Sequence, residues 1–295
     1  FIRLRKYLCW GMVSFHTLCP MRHLKPALYV FALNVIISIY LQLNNVLLGF
    51  MKDAEAVGYF TAATKIMVIT MSISSALGAV IMPRTSNLIA EERMDEFKAL
   101  VQKSYDFIFA LAMPLMVGLI FTSPSAVLLL SGEGFVPAIL TSQIVAFNIL
   151  TVGLSGVMGI QVLYPLGKIN IVILCTSIGA IINVFLNVLL IPRYGHNGTA
   201  VAYMLAEMTV TVSMFFIGKR YIPIRFLKRQ HLNYVLGSVV MGVCLYFISW
   251  LGLGNTATLV MMISMGGIVY VVILLFLRDS IGMIPWKILR EKFGK

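Results

Sequence analysis

Acidic residues are scarce in this 295-residue chain: 11 Asp and Glu stand against 23 Lys and Arg, and charged residues of both signs make up only 12% of the sequence. With 60% hydrophobic residues and a mean hydropathy of +0.94, the polar surface is too small to cover a soluble globule of this size. Lipid is therefore its solvent. Strict alternation of apolar and polar residues is also lacking. The long, non-alternating runs point to helices as the way to satisfy backbone hydrogen bonds in hydrocarbon.

Chemistry-bearing groups are equally thin. Cys9, Cys19, Cys175 and Cys244 show neither CxxC nor metal-ligand spacing, so no disulfide or metal framework is implied. His16, His23, His196 and His231 read as loop residues without acidic or cysteine partners at ligand spacing, which argues against metal chemistry. Ser131-Gly132-Glu133-Gly134 lacks the Lys and the preceding strand of a phosphate loop and reads as an outer turn. No catalytic constellation is present. The opening stretch, FIRLRKYLCW, lacks the apolar core and cleavage site of a signal peptide, and with Phe1 in place of Met the chain reads as truncated at its start.

What is present is a succession of apolar runs bounded by charge, Gly or Pro, at 27–50, 57–82, 105–122, 137–163, 169–191, 198–218, 233–252 and 257–277. Each approaches or exceeds the roughly 20 residues needed to cross a bilayer, so the expectation is an all-α polytopic protein with about eight transmembrane helices. The segment 83–104 is expected to be an amphipathic interfacial helix, with Leu88, Met94, Phe97 and Val101 toward the headgroups.

Net charge is +12, which in a soluble protein would invite a nucleic-acid reading. Its distribution says otherwise. With alternate loops assigned to opposite sides, 20 of the 23 Lys and Arg residues fall on one side, in 1–26, 83–104, 164–168, 219–232 and 278–295. Only Lys52 and Arg193 lie on the other, and Lys65 lies inside a span. The positive-inside rule makes the rich side cytoplasmic and places both termini there, which requires an even number of spans. The basic excess is an orientation signal and a contact for anionic lipid, and no nucleic-acid partner is expected.

An ionisable group inside a span is expensive and is a functional candidate by default. Lys65 and Glu207 stand out, each roughly 12 to 14 Å from the outer start of its run. Each belongs to a polar stripe at helical spacing: Thr61, Lys65 and Ser72, and Tyr203, Glu207 and Thr211. Two readings compete for the pair. In one, they form a structural ion pair or Lys65 snorkels outward. In the other, Lys65 attracts an anionic group of a translocating ligand while Glu207 balances it or takes up a proton. The first span adds Asn34, Ser38, Gln42 and Asn45 on one face with Asn44 adjacent, and the fifth adds Thr176, Asn183 and Asn187. Such amides either glue helices together or line a hydrophilic passage. Gly153, Gly156 and Gly159 and the mid-span Pro114 allow close packing or a hinge.

Two stretches carry a family resemblance. Asn44-Asn45-Val-Leu-Leu-Gly49, with Val57-Gly58-Tyr59-Phe60-Thr61-Ala62-Ala63 and Pro83, resembles the seventh and eighth helices of bacterial polysaccharide flippases. Asn183-Val-Phe-Leu-Asn187-Val-Leu-Leu-Ile-Pro192-Arg-Tyr-Gly195, with Gly198-Thr-Ala200-Val-Ala202 and Ala206-Glu207, resembles the turn between their eleventh and twelfth. These are the O-antigen and capsule members of the multidrug, oligosaccharidyl-lipid and polysaccharide exporter superfamily.

The resemblance implies one six-helix lobe of a MATE-like fold at 27–218, without the first lobe. Around it lie an N-terminal linker at 1–26, a basic loop at 219–232, two additional helices at 233–277 and a basic tail at 278–295. It also implies a transporter rather than an enzyme, sited in a bacterial inner membrane. The cargo is a polyprenyl-pyrophosphate-linked oligosaccharide, and a polysaccharide polymerase and chain-length machinery are partners. Cavity cations in the family meet pyrophosphate or acidic sugars, in agreement with the reading of Lys65. The Asn44-Asn45 pair stands near where relatives often carry an acidic residue, which speaks against a coupling-ion role for the first span. No cofactor is implied, and the choice of proton or Na+ for coupling stays open. Competing functions are a multidrug or lipid-precursor exporter of the same superfamily, a membrane-embedded glycosyltransferase or polymerase, and a non-transporting assembly partner.

Overall fold

The computed structural model describes residues 20–277 apart from 227 and 253. Among the described residues there are eight α-helices and no strand: α1 (Pro20–Met51), α2 (Ala54–Ala90), α3 (Met94–Ser131), α4 (Ala138–Val145), α5 (Phe147–Gly156), α6 (Ile169–Gly218), α7 (Arg229–Ser249) and α8 (Asn255–Phe276). A π-helical stretch, Val157–Leu163, prolongs α4 and α5 into one crossing. By length and composition, six of these units can cross a membrane. This is a multi-pass membrane protein.

α6 contains two crossings. At about 1.5 Å per residue its 50 residues would span roughly 75 Å, more than twice the hydrocarbon thickness. The chain reverses instead at Gly195, whose φ of 54° and ψ of −132° lie outside the helical region. The two halves then pack back to back. A Cβ on Gly198 would sit 2.6 Å from the Leu190 carbonyl oxygen, and one on Gly179 would sit 2.3 Å from Val210 Cγ2, so both positions need a bare backbone. α1 runs parallel to the first half: Asn44 bonds Asn187, and Lys52 reaches Gly195 at the same offset of 143 residues. α7 and α8 form an antiparallel pair, with Gly237 against Tyr270 and Gly266 against Leu245, and pack on α3 through Gly242 against Phe121 and Val117.

Asp53 caps α2, its side chain accepting from Ala56 N at 2.7 Å, with Glu55 in the first turn where the helix dipole favours an anion. The expected interfacial helix at 83–104 is not formed. α2 continues through Pro83 to Ala90 and closes in a Schellman turn, Arg93 N donating to Leu88 O and Glu92 N to Ile89 O with Glu92 at φ 59°; α3 then starts at Met94. Leu88, Phe97 and Val101 are 7%, 1% and 0% exposed and belong to a core cluster with Val162, Leu163 and Met214. They pack protein, not lipid, because the end of α2 and the start of α3 bury these side chains against residues far along the chain; of the four, Met94 alone is exposed. Ser131–Gly134 does form a turn, with Gly132 at φ 88° leading into a short 3-10 segment.

Candidate functional site

Five of the polar candidates converge. Gln42, Asn44 and Asn45 from α1, Lys65 from α2, and Tyr203 from the second half of α6 line one cavity of about 360 Å³, together with Phe60, Thr64 and Met67. They meet because α1 lies along α6 and α2 closes over both. Phe60 stacks edge-on against Tyr203 at 6.4 Å, and Thr61 Oγ1 donates to Asn45 Oδ1 at 3.4 Å across the α1–α2 seam. Lys65 is exposed into this cavity, and among the described residues no ion pair joins it to Glu207. A Lys at a helix centre in hydrocarbon costs roughly 2.5–3.5 kcal/mol, a cost that a wet cavity relieves. Glu207 is buried one turn beyond Tyr203 and does not line the cavity.

Asn183 and Asn187 stand behind the cavity wall. Asn187 Nδ2 donates to Asn44 Oδ1 at 2.8 Å and reaches Asn183 O at 3.0 Å and Oδ1 at 3.2 Å, all fully buried. This amide knot holds α1 to α6, with Asn44 facing both the knot and the cavity. Of the stripe residues, Thr211 acts as glue, its hydroxyl reaching Glu207 O and Thr151 O. Among the glycines, Gly153 and Gly159 are packing positions, against Ile108 and Met214. The side chain of Asn34 lies outside the described residues.

A second, apolar cavity of about 750 Å³ opens between α2, α3 and the α7–α8 pair. Ile69, Ile73, Leu111, Leu115, Met262 and Val271 are among its walls, and Ile69 also lines the polar cavity. One side of α2 therefore faces amides and a cation while the next turn faces a hydrocarbon-like groove.

The sequence reading missed a buried charged cluster. Asp106, on α3, receives Lys228 Nζ at 2.7 Å, lies 3.0 Å from His231 Nε2 and accepts from Gln102 Nε2 at 2.8 Å. Gln102 in turn accepts from Arg225 N at 2.7 Å. His231 is 2% exposed, stacks on Phe109 at 4.8 Å and is flanked by Tyr105 and Tyr234. His231 is therefore no loop residue without an acidic partner: it begins α7 and its partner lies 125 residues away. The available signal was Asp106 itself, a carboxylate at the edge of an apolar run. Among the described residues no three His, Cys, Asp or Glu side chains converge as a metal site.

Residues 11–140 match a family model described as "Polysaccharide biosynthesis protein". The chain is 25% identical over 276 residues to the "Probable low-salt glycan biosynthesis flippase Agl15" of Haloferax volcanii, covering 91% of this chain and 58% of that protein. It is 21% identical over 215 residues to the "Uncharacterized membrane protein MJ1068" of Methanocaldococcus jannaschii, covering 70% of this chain and 42% of that one. Both are archaeal, and the chain spans about half the length of each. The fold is similar to "Lipid II flippase MurJ, inward closed conformation", with a TM-score of 0.75 at 17% identity, covering 95% of this chain and 59% of that chain.

Proposed function

We propose that this chain is a member of the polysaccharide and lipid-linked flippases of the multidrug, oligosaccharidyl-lipid and polysaccharide exporter superfamily, and that it forms part of a transporter that turns a polyprenyl-pyrophosphate-linked oligosaccharide from one leaflet to the other. The observation that carries this reading is the shared wall at Ile69: a cavity lined by Lys65, amides and Tyr203 adjoins a larger apolar groove. An amphiphile with an anionic, hydroxyl-rich head and a long hydrocarbon tail needs both environments side by side. Lys65 attracts the phosphate, Gln42, Asn45 and Tyr203 offer hydrogen bonds to sugar hydroxyls, and Asn183 and Asn187 brace Asn44 from behind. Glu207 balances the cation or takes up a proton. Movement follows alternating access about a midplane cavity.

The proposed organisation is a lobe at 27–218 joined through the basic segment 219–232 to helices at 233–277, with 1–26 and 278–295 as flanking basic segments. The basic side faces the cytoplasm of a bacterium and the chain resides in the inner membrane, where a polymerase and chain-length machinery take up the product. The fold likeness to a lipid II flippase favours one second reading, a lipid-precursor exporter with a smaller headgroup.

Both readings are tested in the intact gene product at matched expression. Lys65→Gln lowers delivery of the lipid-linked glycan to the outer leaflet by at least about tenfold, equivalent to about 1.4 kcal/mol of lost interaction, and Lys65→Arg retains most of it. An unchanged rate in Lys65→Gln removes the ligand role. Comparing a lipid-linked monosaccharide or disaccharide with the full oligosaccharide as cargo separates the two readings.

A further inference from the structure

α3 has two gaps in its own hydrogen-bond ladder. Pro114 and Pro124 have no N–H, so the carbonyls four residues earlier, Ala110 and Ile120, lose their intrahelical donors. In hydrocarbon an unsatisfied carbonyl is costly, so each needs a donor from elsewhere. Both have one, and each comes from a different neighbour. Tyr270 of α8 donates its hydroxyl to Ala110 O at 2.6 Å in a buried contact, and Gln143 of α4 donates its amide to Ile120 O at 3.1 Å. At the second gap, Thr122 and Ser123 also bond back to Gly118 O and Leu119 O, a pattern that loosens and bends helices.

We infer that Tyr270 and Gln143 are positioning residues that hold α3 as a helix with two joints, and that the segment between the joints is a movable wall of the apolar groove. Pro114, Leu115, Gly118, Leu119 and Thr122, all between the joints, line that groove. One end of the segment is clamped from α8 and the other from α4. A donor that satisfies a carbonyl from outside the helix leaves the helix free to pivot there, while an ordinary ladder bond would not. The helix pair α7–α8 therefore sets the shape of the groove through one hydroxyl rather than by packing alone. The link to transport rests on the proposed function, whereas the joints themselves do not.

The test is a pair of double-mutant cycles in the intact transporter, read by thermal unfolding and by glycan delivery. Tyr270→Phe keeps the ring against Gly237 and removes the hydroxyl that donates to Ala110 O. It lowers the unfolding midpoint by about 2–4 °C and lowers glycan delivery at matched expression. In a Pro114→Ala background the backbone N–H restored at that position caps the Ala110 carbonyl, so adding Tyr270→Phe has less than half that effect on the midpoint. Gln143→Leu behaves likewise against Pro124→Ala, and keeps the test alive if Pro114→Ala does not fold. Equal costs of Tyr270→Phe and of Gln143→Leu with and without the matching proline overturn the joints. Coupled midpoints with unaltered delivery overturn the movable wall. A wild-type protein that delivers no glycan refutes the proposed function and leaves the unfolding cycles to decide the joints.

Discussion

The two buried polar knots of this molecule differ in kind. The Asn44–Asn183–Asn187 knot is neutral, buried and held between helices, whereas the Asp106–Lys228–His231 knot is charged and sits where α3 meets the segment leading into α7. Lys228 remains 27% exposed and Asp106 10%. The difference teaches where this fold accepts charge: an ion pair forms where part of it is still exposed, and amides take its place where the side chains are fully buried. Desolvation of a full charge in hydrocarbon is the physical reason.

That comparison is broken most severely at Asp106. Asp106→Ala leaves Lys228 and His231 facing each other without their shared carboxylate and costs about 3–5 kcal/mol, the usual result of breaking a buried pair by removing one partner. Detergent-solubilised unfolding measures it, and a loss below about 1 kcal/mol would show that water reaches the cluster freely. Asn148 shifts stability the opposite way. Fully buried on α5, it has no hydrogen-bond partner for either amide atom among the described residues, so Asn148→Leu stabilises by about 1–3 kcal/mol in the same assay. A destabilised variant would mean that water or ligand normally satisfies that amide.

The neutral knot gives a smaller effect. A double-mutant cycle of Asn44→Leu and Asn187→Leu returns a coupling of about 0.6–1.7 kcal/mol, the range for interhelical hydrogen bonds in membranes. A coupling as large as the Asp106 effect would erase the distinction between the knots. The surface pair is weakest. The Arg93 guanidinium beside Glu91 holds that carboxyl below its usual range, so its contribution is present above the unfolded value and lost as pH falls through the lower folded one. Both groups are solvent-exposed, so Arg93→Ala changes the acid limb of an unfolding-versus-pH curve far less than Asp106→Ala does.

Much of the architecture was legible because hydrocarbon imposes a length rule. The runs at 233–252 and 257–277 agree with α7 and α8 within a few residues, and the reversal between 191 and 198 was marked by Pro192 and Gly195. The segment 83–104 was misread because amphipathicity records only that one face is apolar; whether lipid or protein covers Leu88, Phe97 and Val101 is settled by neighbours far along the chain. The same limit hid His231, whose partner is Asp106, and it hid the donors to Ala110 and Ile120.

By itself the amino-acid sequence determined that this protein lives in lipid, that it crosses more than once and which residues are too polar to be there without reason, since all three follow from transfer free energies summed along the chain. Only the tertiary structure decided that Lys65 faces a cavity rather than Glu207, that Asn44 shares a knot with Asn187, and that α2 separates a polar chamber from an apolar groove. Those are relations between helices, and with little hydrophobic driving force between helices in lipid they are chosen by close packing and interhelical hydrogen bonds, terms too specific to be read from composition or periodicity.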